Sequence, residues 1–174
     1  MKTVVQKLII AAILFSFFPS SSFGYEINSR NATLIYADEI QLQELNKTLK
    51  NISYQGNSIT LSDEVKGKLD VLIGKVAMIL LNSRPPEQLK IKIMLVTSAA
   101  DIQAIYSDKY GKGKDYIAFF SPKDGTIFIS VSDLRLGILA HELAHVIIHH
   151  YFYSAIPSRI HELLAQFVES HIDD

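Results

Sequence analysis

The chain contains no cysteine. That excludes a disulfide framework and thiolate metal sites, so any metal bound here must be held by histidine and carboxylate. It also excludes a lipid-anchored bacterial precursor, which needs a cysteine directly behind its apolar leader. Apolar runs of membrane-spanning length are missing too. Leu8 to Phe18, broken only by Ser16, falls short of the roughly 20 residues that cross a bilayer. Positive charge is not in excess, because 17 Lys and Arg stand against 18 Asp and Glu, and this balance gives no sign of a nucleic-acid partner. Repeats, low-complexity tracts and linkers are likewise lacking.

What is present begins with an export pattern. Lys2 and Lys7 lie before and at the edge of the apolar run, and Pro19-Ser20-Ser21-Ser22-Phe23-Gly24 closes it with a breaker and small residues. This reads as a signal peptide over residues 1–24, cut after Gly24. The expected product is a single domain over residues 25–174, periplasmic or secreted, with no stable membrane anchor. It loses two lysines and no acids, so its charge is 15 minus 18, or -3. Asn-x-Ser/Thr triplets at Asn31, Asn46 and Asn51 are background, since such triplets are frequent by chance.

The patterning of the domain predicts an α+β fold with a small mixed sheet. Thr33 to Ala37 reads as a strand and Asp38 to Leu49 as a helix. Ser62-Asp63-Glu64 opens a long helix that ends before Pro85-Pro86. Lys90 to Thr97 alternates as a strand, and Ala99 to Tyr106 is a short helix, followed by a loop at Gly111 to Lys114. Tyr116 to Phe120 and Thr126 to Val131 flank Ser121-Pro122-Lys123-Asp124-Gly125, turn chemistry that predicts a β-hairpin. Two helices finish the chain, about 133–150 with Ser132 or Asp133 as N-cap, and about 158–171 after Pro157.

Chemistry concentrates in the first of these two helices. Leu136 to Ile148 spans thirteen positions, of which only His141, Glu142 and His145 are polar. A helix apolar nearly all round is a buried one, and polar groups there are costly unless satisfied. A metal ion satisfies them. At about 100° per residue, His141 and His145 lie roughly 40° apart and one turn apart in height, so both imidazoles converge on one ion. Glu142, about 100° from His141, can reach a water there without being a ligand. Two nitrogen ligands and no thiolate favour Zn²⁺, tetrahedral with one position left for water. Zinc lowers the pKa of a water and polarises a carbonyl, while Glu142 serves as general base and passes the proton to the leaving amine. The expected reaction is peptide-bond hydrolysis on a peptide or protein substrate. The competing structural reading is a pair of core histidines bonded to carbonyls. His149 stands about 12 Å along the axis from His141, too far to share the ion. Ile148 and Tyr151 occupy the places where a glycine and a third histidine would extend the motif.

His141-Glu142-Leu143-Ala144-His145 followed by Glu162-Leu163-Leu164-Ala165 resembles the gluzincin metallopeptidases, the thermolysin-like and aminopeptidase-like group, in a minimal form. The resemblance spans about residues 90–170 and is sharp only in the zinc motif. It implies a zincin-like fold, Glu162 as third metal ligand from the last helix, and an edge strand beside the zinc, a role given to Thr126 to Val131, along which an extended substrate lies. Helix periodicity argues against Glu162, because Ile160, Leu163, Leu164, Phe167 and Val168 form one apolar stripe with Glu162, Gln166 and Glu169 opposite. Glu169 is the reserve ligand and His161 a lesser one. Where the family orients a zinc histidine with an acid, this chain has Gln166. For the family's oxyanion donor the available residues are His150, Tyr151, Tyr153 and His171. Two further readings stay open. One is a catalytically inactive zinc-bearing module that binds peptides or proteins; the other is a zymogen in which residues 25 to about 60 block the cleft.

Overall fold

A computed structural model of the chain describes residues 24–85, 88–111, 113–152 and 156–173. Apart from Gly24, the expected signal peptide lies outside these residues, as does Tyr153. No helix among the described residues is long and apolar enough to cross a membrane.

The fold is α+β: among the described residues, five strands form one mixed sheet with five α-helices. Strands β1 (Tyr25–Asn28), β2 (Ala32–Tyr36), β3 (Ile91–Val96), β4 (Ala118–Ser121) and β5 (Thr126–Ser130) lie in the order β1-β2-β3-β5-β4. Strand β3 runs parallel to both β2 and β5, while β1 and β4 are antiparallel additions at the two edges. The expected hairpin is present. Asp124 accepts a hydrogen bond from Ser121 Oγ at 2.5 Å, and Gly125 takes the left-handed backbone (φ 61) that the turn requires. Its two strands exchange roles, however. Thr126–Ser130 is buried at every position and paired on both sides, so it is a central strand and not the edge beside the helix pair. The edge is β4. Strand β1, only four residues long and mostly exposed, was not foreseen.

Helices α1 (Glu39–Thr48), α2 (Leu61–Leu81) and α3 (Ala99–Tyr110) begin at side chains able to accept a free backbone N–H. These are Asp38, Thr60 and Ser98, the last in a reciprocal capping box with Asp101. The left-handed Asn82 ends α2. Helix α4 (Leu136–Phe152) starts later than the sequence suggests. Ser130 and Ser132 hydroxyls both donate to the Asp133 carboxylate at 2.8 Å, so Asp133 closes a 3-10 turn (Val131–Asp133) instead of capping the helix. Helix α5 (Ser158–His171) returns alongside α4.

The main core lies between one sheet face and α1, α2, α4 and α5, with Leu34, Ile93 and Ile127 from the sheet meeting Leu72, Leu143 and Ile147. A smaller cluster of Ile102, Phe119 and Phe128 fastens α3 to the opposite face. Residues 25–48 build β1, β2 and α1 at the far side of the sheet from β4. They contribute nothing to the lining of the cleft beside α4, so the structure does not place this segment as a plug.

Candidate metal centre

Helix α4 buries Leu139, Ala140, Leu143, Ala144, Ile147 and Ile148 in the core, which fixes its rotation about its axis. That rotation leaves His141 and His145 half-buried on the side facing α5, one turn apart and edge-on to one another with ring centroids 4.7 Å apart. Their Nε2 atoms stand 3.1 Å from one another. Across from them lies the Glu162 carboxylate, with Oε1 3.5 Å from His141 Nε2 and Oε2 3.6 Å from His145 Nε2. These three residues form a group able to hold a metal ion, with one ligand atom from each. A tetrahedral ion with N and O ligands at about 2.0–2.2 Å sets its ligand atoms roughly 3.3–3.6 Å apart. The two imidazole–carboxylate distances fall in that range, and the two Nε2 atoms stand slightly closer than it.

Glu162 therefore takes the place that the resemblance implied and the apolar stripe argued against. Helix α5 does not bury the expected stripe. Ala165, Val168 and Ile172 are buried, with Leu164 packed against the core, whereas Ile160, Leu163 and Phe167 are 44%, 51% and 48% exposed. The helix is rotated so that the carboxylates turn along α4.

Glu169 is not a ligand in this arrangement. Its carboxylate lies 2.9 Å from His141 Nδ1, on the imidazole edge away from the cluster. A His141 that donates from Nδ1 to Glu169 keeps the lone pair of Nε2 for the ion, the usual second support of a metal-bound histidine. A Cβ at Gly137 would stand 3.2 Å from Glu169 Cγ, nearer than ordinary contact, so the glycine lets Glu169 lie against α4. Gln166, which stands where the resembled family has an acid to orient a histidine, donates to Glu162 Oε1 at 3.3 Å. His161 is no ligand of the group either; its Nδ1 faces His145 Nδ1 at 2.8 Å with the rings stacked. Changing Glu169 to Gln is expected to weaken metal affinity about 10–100-fold without unfolding the chain, as loss of such support typically does. Competitive titration with a chromogenic chelator reads this directly.

No protein-family model, curated protein or solved structure matches the chain. The chemistry of the centre therefore rests on its own side chains.

Glu142 is 7% exposed and turns toward the sheet edge, where a hydrogen bond from the Phe120 backbone reaches it. Its Oε2 has no hydrogen-bond partner among the described residues. Burial pushes its carboxyl up to about 8, opposed by the Phe120 bond and reinforced by the charges of Glu162 and Glu169. A carboxyl poised near neutrality beside a metal-binding group suits a general base.

Burial, with His141 and His161 beside it, pushes His145 down to about 3, so its imidazole is neutral at physiological pH and available as a ligand. The folded pKa lies below the ordinary 6.5. The metal-free fold thus keeps the full benefit of a neutral His145 above about pH 6.5 and loses it progressively as pH falls toward 3. Because Glu142 shifts stability the opposite way over this range, the check is a difference: in urea unfolding of the metal-free protein, the midpoint of His145→Gln relative to wild type should rise as pH falls from 7 to 4.

The cleft at the centre encloses about 720 Å³ and runs over the β4 edge, from His141, His145 and Glu162 to Tyr106, Tyr110 and Tyr116. None of the described residues proposed as oxyanion donors lines it. His150 and Tyr151 meet edge-on, and His171 packs on Phe167 beside α2. The three tyrosines went unnoticed in the sequence, where they are scattered over a helix and a loop without a shared motif. Nothing short of the α3–β4 packing brings them together.

Proposed function

We propose that the chain is a zinc-dependent peptidase of the gluzincin type, acting on extended peptides after export. The observation that carries this reading is the His141, His145 and Glu162 group, spaced for one small cation, with the buried Glu142 carboxyl on the same helix. Two imidazoles and one carboxylate without sulfur are a ligand set for catalytic zinc. Zinc bound there would supply Lewis acidity and make a water a ready nucleophile near neutral pH. The rest is done by the chain's own groups. Glu142 accepts the proton of the attacking water and returns it to the leaving nitrogen. Glu169 holds the His141 ring, and Gln166 holds the Glu162 carboxylate.

Strand β4 supplies the backbone. Ile117 accepts from the Ser130 N–H at 2.9 Å, so its polar groups face β5, and by alternation those of Ala118 and Phe120 face the open side. Phe120 already reaches Glu142 from there. An incoming peptide that adds a strand to this edge passes directly beside the base. The substrate path thus moves from Thr126 to Val131, as first expected, to Ala118–Ser121.

The test is metal content and turnover together. Purified chain should hold one zinc and cleave a mixed peptide library, with cleavage lost to a chelator and restored by zinc. Zinc-loaded protein that cleaves nothing in the library would contradict the peptidase reading. It would favour instead a zinc-bearing peptide-binding module, a reading supported by the position of His150, Tyr151 and His171 outside the cleft.

A further inference from the structure

The β4 edge has two faces, and only one of them carries the metal-binding group. Ala118 and Phe120 belong with the main core on the α4 side, where the Phe120 ring meets His149 at 5.6 Å between centroids. Phe119 belongs to the cluster on the α3 side. Around Phe119 stand three tyrosines. Tyr106 lies 4.9 Å from Tyr110, 4.8 Å from Tyr116 and 5.1 Å from Phe119 between ring centroids. Tyr110 is held by a 2.8 Å hydrogen bond between its hydroxyl and Ser121 Oγ at the end of β4. All three tyrosines line the same cleft as His141 and His145.

A strand added to β4 must alternate its side chains between these faces, as every strand does. Residues at one parity point to the metal group, and those at the other parity meet the tyrosines. Aromatic rings pack on one another in offset or edge-on geometry with a gain beyond simple burial. Two lysines stand at the tyrosines: Lys114 Nζ lies 5.6 Å from the Tyr116 ring centre and Lys123 Nζ 4.8 Å from that of Tyr110.

We propose that Tyr106, Tyr110 and Tyr116 form a specificity subsite for an aromatic side chain of a peptide paired with β4, with acidic residues next to it favoured by Lys114 and Lys123. The inference rests on the proposed peptidase reading, and it names the class of peptide: extended, with an aromatic residue facing the tyrosines and acidic residues in its flanks. The metal group fixes where the bond breaks; the tyrosines select which peptide lies there.

Binding separates this subsite from catalysis. The full chain carrying Glu142→Gln, loaded with zinc, is titrated with fluorescent octapeptides that have Phe at alternate positions and Glu in the flanks. Counterparts carry Ala in place of Phe, or Lys in place of Glu. The Phe peptide should bind at least about tenfold tighter than the Ala peptide, and Lys flanks should weaken it several-fold. Tyr106→Ala with Tyr116→Ala should bring the Phe-to-Ala ratio close to one at unchanged zinc content. A merely structural role would weaken both peptides alike and leave that ratio intact. Lys114→Glu with Lys123→Glu, two surface changes, should reverse the flank preference and provides the check if the tyrosine variant fails to fold. A parent ratio near one, or a flank preference unmoved by the lysine changes, overturns the proposal. Cleavage by the wild type without aromatic preference defeats the subsite and leaves the peptidase standing. Selective binding without cleavage does the reverse.

Discussion

Glu142→Gln is expected to lower peptide cleavage by about 10²–10⁴-fold, the usual worth of a general base, while zinc content stays at one per chain. The amide keeps the shape of the carboxyl and its bond from the Phe120 backbone but cannot take a proton. The same change should stabilise the metal-free protein. Burial raises the Glu142 carboxyl from 4.5 to about 8, so the folded state holds that proton more tightly than the unfolded one. Below about pH 4.5 both states are protonated and the site costs nothing. Between 4.5 and 8 the unfolded state ionises first and stability is lost, with the full penalty present above 8. That penalty is on the order of a few kcal/mol. Metal-free Glu142→Gln should therefore melt several degrees above metal-free wild type at pH 8, with the difference closing at pH 4. Such a gain in stability at the expense of turnover is what a group placed for chemistry predicts.

The second large effect is expected from His145→Ala. It removes an imidazole of the candidate metal group, whose neutrality the fold secures by burial and which stands 3.1 Å from its partner imidazole. Zinc affinity should fall well beyond the 10–100-fold characteristic of outer-sphere changes. Cleavage at limiting zinc should vanish with it. Thermal unfolding gives an independent readout, because an ion that binds only the folded chain raises the melting temperature in proportion to the logarithm of its concentration over Kd. Added zinc should raise the melting temperature of the wild type and leave that of His145→Ala nearly unmoved.

The centre was legible to unequal degrees. His141, Glu142 and His145 stand out because thirteen residues of α4 are otherwise apolar, and a buried helix tolerates polar groups only for a reason. Glu162 was not legible from periodicity. Ile160, Leu163 and Phe167 mimic a core stripe, and no one-dimensional pattern says that this apolar face is the one left exposed. The roles of Glu169 and His161 depend on how two returning helices are phased, and that phase is set by Ala165, Val168 and the small Gly137.

The sheet teaches a related lesson. Thr126-Ile127-Phe128-Ile129-Ser130 has apolar residues in succession, the pattern of a strand covered on both faces, which marks it as central. Resemblance placed it at the edge, while its own composition argued for the interior. Strand β1 was missed for another reason: Tyr25-Glu26-Ile27-Asn28 alternates over only four residues, too short a run to mark a strand by its period.

The central claim is that His141, His145 and Glu162 hold one zinc ion. X-ray absorption at the zinc edge of the loaded, full-length chain tests it most directly. The account predicts two imidazole nitrogens and one or two oxygens at about 2.0–2.2 Å with no sulfur, and loss of one protein oxygen ligand in Glu162→Ala. A six-oxygen shell without imidazole scattering, or a spectrum unchanged by Glu162→Ala, would contradict it.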